Sequence, residues 1–167
     1  MSTAMKNVEY LVVHCSATQA SPTITADTIE RWHIEQGWDG IGYHYVIPTS
    51  GEWQVGRPIT QPGSHAKGYN SRSLGICLIG GADVNGKAVR NFLPAQFTAL
   101  EQLLRNLRVS YPNAVICGHR DLSPDLDGDG IVEPHEWVKQ CPSFDVRDWC
   151  QRIGLDPLQM PPPKGAQ

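Results

Sequence analysis

The sequence predicts an α/β fold in which a central mixed β-sheet is flanked by helices. Three observations carry this. Short apolar runs rich in β-branched residues recur along the chain at strand length. Two segments between them place apolar residues at helical spacing. Sixteen Gly and thirteen Pro among 167 residues imply many turns, more than a helical bundle would need. The length suits one domain, and 40% hydrophobic residues are enough for a core.

The first strand is predicted over Val8 to His14, with Val12 and His14 on one face and Val13 and Cys15 on the other. A helix is predicted over about 26–36. Thr25 is its N-cap, Asp27 lies in its first turn and Gly37 just past its end. Gly40 and Gly42 then lead into YHYVIPT, a second strand, and the turn at Thr49 to Glu52 leads to a third over Trp53 to Arg57. Residues 58–73 read as loop, and Leu74 to Ile79 as a buried strand closed by Gly80 and Gly81. Pro94 fits the first turn of the longest helix, where its missing N–H costs nothing. Phe97, Leu100, Leu103, Leu104 and Leu107 form that helix's apolar stripe. A short strand over Ala114 to Cys117 and a last helix near Asp145 to Arg152 complete the set. One domain is expected over 1–160, with an acidic insertion at 125–136 and a flexible tail over 161–167.

Seventeen acidic against fourteen basic residues give a net charge of −3, which argues against a nucleic-acid binder working through bulk electrostatics. No stretch reaches the length of a membrane span, so no integral membrane segment is expected. The opening MSTAMKNVEYLVVH lacks the apolar region of a signal peptide, and synthesis in the cytoplasm is the expectation. Five cysteines without a CxxC pair are neither a disulfide framework nor a four-cysteine zinc knuckle.

His14 ends the first strand, His119 follows the AVICG strand, and Cys141 lies in the loop before the last helix. Two imidazoles and a thiolate are a ligand set that suits Zn2+ and leaves a fourth position for water. The spacing is long, and two other readings stay open: hydrogen-bonded core histidines with an inert thiol, or a Cys-His nucleophile pair with Cys141 beside His119. Lys139, two residues before Cys141, could face a developing oxyanion or lie solvated. Tyr43 could meet a metal-bound water or pack in the core. His65, in a Gly/Ser/Asn loop, reads as a pocket residue, whereas His44 reads as structural. DLDGDGIVEPHE places Asp125, Asp127, Asp129, Gly130, Ile131, Glu133 and Glu136 at positions 1, 3, 5, 6, 7, 9 and 12 of a calcium-loop pattern. It lacks an incoming helix, so it is either a structural Ca2+ staple or an acidic turn that needs no ion.

The segments VEYLVVHCSAT, GWDGIGYHYVI, GSHAKGYNSRSLGICLIGG, CGHRD and KQCPSFDV, in this order from about residue 8 to 149, resemble the zinc N-acetylmuramoyl-L-alanine amidases. That family includes the small T-odd phage lysozymes, which cut an amide, and the peptidoglycan recognition proteins. The resemblance implies a mixed sheet with helices on its faces, and His14, His119 and Cys141 as the zinc ligands. It implies Tyr43 near the zinc-bound water, Lys139 stabilising the tetrahedral intermediate and His65 lining the substrate groove. It further implies cleavage between N-acetylmuramic acid and L-alanine in peptidoglycan. The setting it implies is a monomeric phage or prophage endolysin that acts at the wall after release, with a phage RNA polymerase as a further partner of some members. Departing from the shorter phage enzymes, the chain carries the 125–136 insertion between His119 and Cys141. The alternatives are a Cys-His peptidoglycan endopeptidase and a non-catalytic peptidoglycan-binding module.

Overall fold

The computed structural model describes residue 5 and residues 7–162. From residue 163 on, the predicted tail lies outside the described residues. Five strands, β1 (Tyr10–Cys15), β2 (Tyr45–Ile47), β3 (Gln54–Val55), β4 (Ser73–Leu78) and β5 (Val115–Gly118), form one sheet in the order β3-β2-β4-β1-β5. β1 runs parallel to both β4 and β5, β2 runs parallel to β4, and only β3 is antiparallel. The sheet is therefore mixed, and its four parallel strands end on one edge.

Helices α1 (Ala26–Glu35), α2 (Pro94–Ser110) and α3 (Val146–Arg152) cover both faces. Leu11, Val13 and Cys15 of β1 share a core with Leu100, Leu104 and Leu107 of α2 and with Val146, Trp149 and Cys150 of α3. On the opposite face, Ala26 and Ile29 of α1 meet Val46, Cys77 and Ile79. Tyr10 and Val12 belong to a separate cluster with Cys117. The alternation of β1 thus places His14 on the face away from α2 and α3.

Local rules account for the helix ends. Thr25 precedes α1 in an extended conformation, and its N–H donates to Thr28 Oγ1 at 3.1 Å. Gln54 of β3 reaches across to accept from the Ala26 N–H at 2.7 Å. Gly37 then takes a φ of +93°, the left-handed turn that ends a helix at little cost for glycine. Asp145 lies outside α3 as its cap, accepting from the Asp148 N–H at 3.0 Å. The second and third strands are shorter than the apolar runs predict. His44 still pairs its main chain, donating its N–H to the Gly75 carbonyl at 2.9 Å, but Pro48 has no N–H to carry the ladder beyond Ile47.

α2 is tied to the sheet by one fully buried polar side chain. Gln96 donates through Nε2 to the carbonyls of Ile47 (3.1 Å) and Ile79 (2.9 Å), and accepts the Leu93 N–H through Oε1 (2.8 Å). Gln96→Leu keeps the bulk but strips three main-chain groups of this partner. The Ile47 carbonyl keeps the Ile79 N–H at 3.0 Å and Leu93 is exposed, so the Ile79 carbonyl bears most of the cost and we expect a loss of about 2 kcal/mol of unfolding free energy. Urea denaturation checks this, and a loss under about 1 kcal/mol would mean that the freed groups find other partners.

Candidate metal centre

Parallel β1 and β5 are neighbours, so their C-terminal ends lie side by side on the sheet edge. Crevices beyond such strand ends are the usual ligand sites of α/β sheets. His14 stands near the end of β1, and His119 opens a short 3-10 turn directly after β5. Their ring centroids lie 4.6 Å apart. Cys141 enters from the loop before α3. The Cys15 N–H donates to its Sγ at 3.2 Å, and its carbonyl accepts the Arg120 N–H at 2.9 Å. Gly118 makes the approach possible, because a Cβ there would come within 2.8 Å of Pro142 Cδ. The neighbouring carboxylate of Asp121 accepts the Gly118 N–H at 2.7 Å, holding the turn that carries His119.

One donor atom from each of His14, His119 and Cys141 lies within 4.8 Å of the other two. In a tetrahedral zinc site such atoms stand about 3.3–3.6 Å apart, so small side-chain adjustments close the site. The donors suit a divalent cation chemically as well. Burial, then the neighbouring His65, His119 and Lys139, holds His14 well below the ordinary imidazole range. Burial and Lys139 push His119 down to about 4. Both rings therefore offer lone pairs at neutral pH. A hydrogen bond with the Cys15 thiol, reinforced by burial, holds Cys141 well above the ordinary thiol value. The same bond lowers the Cys15 thiol to about 7, and a bound cation is what would draw the Cys141 proton off.

Buried neutral imidazoles carry a consequence for stability. Burial, His44 and His119 lower His65 to about 3, and His14 is depressed in the same direction. In the unfolded chain both titrate near 6.5, so below that pH the unfolded state binds more protons and stability falls with acid. The metal-free protein is expected to lose up to about 1.5 kcal/mol per ring between pH 6.5 and 5. Urea titrations at the two pH values test this, and an unchanged midpoint would refute it.

The other predicted residues occupy defined places. Tyr43 packs its ring 5.1 Å from that of His14. Burial, then Cys77, Cys141 and Cys15, raises its phenol well above 10, so it keeps its proton. Lys139 and His119 line two adjoining cavities of about 360 and 250 Å³, which also share Ala66, Lys67 and Val138. His65 borders the larger of the two but is only 8% exposed. A cavity of about 790 Å³ lies instead beside Glu9, Tyr10, Asn113 and Val115, at the other end of β1 and β5. Sequence reasoning missed the Cys15 N–H, Gly118, and the groove residues Trp38, Lys67 and Val138. These are assembled by strand pairing, and no local pattern marks them.

The acidic insertion gathers Asp125, Asp127, Asp129 and Glu136, whose carboxylates come within 4.8 Å of one another. Asp125 accepts the N–H groups of Gly128 (2.9 Å) and Gly130 (2.7 Å). Glu136 accepts those of Leu126, Asp127 and Glu133. Glu133 stands outside that group, with its side chain hydrogen-bonded to Asp129, and the Ile131 residue is exposed.

A family model described as N-acetylmuramoyl-L-alanine amidase matches residues 4–143. The endolysin of Klebsiella phage KP32 is 41% identical over 153 residues, covering 92% of each chain. That of Escherichia phage T7 is 40% identical over 150 residues, covering 90% of each. Among solved structures, the N-acetylmuramoyl-L-alanine amidase LysC from Clostridium intestinale URNW superposes with a TM-score of 0.69 at 28% identity. It covers 90% of this chain and 87% of its own.

Proposed function

The chain belongs to the N-acetylmuramoyl-L-alanine amidase family, and on that premise we propose how its residues cut the bond. It is a metal-dependent hydrolase of the amide joining N-acetylmuramic acid to L-alanine in peptidoglycan. The observation that carries this is the meeting of His14, His119 and Cys141 at the C-terminal edge of the sheet. Two nitrogens and a sulfur favour Zn2+ over the oxygen-seeking Ca2+ or Mg2+.

Bound there, Zn2+ supplies Lewis acidity, polarising the scissile carbonyl and acidifying a water molecule toward neutrality. The chain's own residues do the remainder. Lys139, on the groove wall beside His119, presents a positive charge where the carbonyl oxygen becomes an anion. Tyr43 keeps its phenolic proton, so it acts as a donor that orients the attacking water or the oxyanion and not as a general base. Lys67 and Trp38 offer a cation and an aromatic face along the same cavity, suited to a peptide stem and a sugar. His65 borders that groove but is nearly closed to solvent. The acidic insertion enters this mechanism nowhere; its Asp125 and Glu136 carboxylates accept main-chain N–H groups that shape the loop.

The similarity to phage endolysins supports a lysis role, with synthesis in the host cytoplasm and action at the wall after release. Among the described residues no helix is long and apolar enough to cross a membrane. Mass spectrometry of digested peptidoglycan tests the bond assignment. The expected products are stem peptides with a free L-alanine amine and glycans with a free lactyl carboxylate. New amino termini inside the stem would instead identify an endopeptidase, and binding without release a recognition module.

A further inference from the structure

A chain of hydrogen bonds with one permitted direction runs from the metal centre into the sheet. At its far end the Ser73 hydroxyl donates to the Tyr69 main-chain carbonyl at 2.7 Å. A carbonyl can only accept, so this bond uses the single hydroxyl proton. Ser73 Oγ therefore has only lone pairs to offer His65 Nε2, 3.2 Å away. Nε2 of His65 must then carry the proton, and in a neutral imidazole this leaves Nδ1 as an acceptor. Nδ1 faces His14 Nε2 at 2.9 Å. That bond puts the His14 proton on Nε2 and turns the lone pair to Nδ1.

The His65 ring has little freedom to do otherwise. A Cβ on Gly75 would come within 2.6 Å of His65 Cγ, and one on Gly63 within 2.7 Å of its Cδ2, so two glycines make the slot in which the ring lies. Asn70 Oδ1 accepts the N–H groups of both His65 and Ala66 at 2.9 Å, holding the loop that delivers it. His44, whose ring is 5.7 Å away, is committed elsewhere: Nε2 donates to the Gln61 carbonyl and Nδ1 accepts from Gly75. A second proton on His65 would reverse the bond to His14, and a cation held by His14 disfavours that proton.

We propose that His65, oriented by Ser73 and the Tyr69 carbonyl, is a positioning residue that fixes the tautomer of His14 and presents Nδ1 to the metal. This rests on the metal centre proposed above. It gives His65 a role separate from lining the groove and explains why a ring so nearly closed to solvent sits there. Outer partners of metal-ligating histidines typically govern affinity by about 10–100-fold.

The test measures Zn2+ affinity by competition with a chromophoric chelator in the wild type, His65→Leu and His65→Asn. Asparagine places its Oδ1 near the position of the lost Nδ1. Leu is expected to weaken binding by about 10–100-fold and Asn by no more than about threefold. Nitrogen-15 NMR of the zinc-loaded wild type is expected to find the protons of His14 and His65 on Nε2. Equal affinity of Leu and wild type, an Asn variant as weak as Leu, or a proton on His14 Nδ1 would each overturn the relay while leaving the metal centre standing. A wild type that takes up no stoichiometric zinc would overturn the centre itself. The NMR measurement decides the relay on the unsubstituted chain, whether or not the Leu variant folds.

Discussion

Lys139→Ala is expected to lower turnover by roughly two to three orders of magnitude, about 3–4 kcal/mol of transition-state stabilisation, while keeping the metal. Lys139 lines the groove beside His119, and its charge already depresses both His14 and His119. That charge repels a cation in the ground state and attracts the oxyanion that forms as water adds to the carbonyl. Removing it should leave zinc affinity unchanged or slightly tighter, with KM for peptidoglycan fragments little altered and the loss confined to kcat. Metal analysis beside steady-state kinetics checks both halves. Loss of zinc together with activity would mean that Lys139 holds up the site and does not act on the transition state.

Cys141→Ser should carry the largest effect, a fall in activity to background with loss of the ion. A serine hydroxyl at neutral pH is a neutral, weak ligand, whereas the thiolate supplies both charge and a soft donor. The Cys15 N–H would remain aimed at the substituted side chain, so the loop itself is expected to stay in place. Chelation of the wild type should give the same loss, reversed by added Zn2+, while the variant stays inactive at stoichiometric zinc. Peptidoglycan pull-down should still capture the variant through the groove. Activity that survives the chelator but is lost on thiol alkylation would identify a Cys-His nucleophile instead.

Local pattern predicted the elements closely. α1 and α2 start where Thr25 and Pro94 imply, because caps and first-turn preferences act within a few residues. β1, β4 and β5 lie within two residues of the apolar runs. The second strand ends earlier than its apolar run because Pro48 has no N–H to continue the ladder beyond Ile47. At the site, residue chemistry alone left His14, His119 and Cys141 open to a metal, a nucleophile pair or plain core packing. The ordered blocks that resemble the amidases pointed to the metal. Nothing local in GSHAKGYNSRS marks His65 as a partner of His14, since that relation exists only across the β1–β4 pairing.

Helical and strand periodicities, turn residues and the kinds of donor available were set by the amino-acid order itself, because they depend on neighbours within a few positions. Which donors meet, and which nitrogen of His14 is turned outward, were decided only in three dimensions. Parallel pairing of β1 with β4 and β5 brings strand ends to one edge, and Gly118 lets the Cys141 loop close on it. A carbonyl at Tyr69 that can only accept then sets the direction of every proton back to the metal. Ligand geometry and hydrogen-bond direction are properties of contacts between distant segments, and such contacts are made by the tertiary fold.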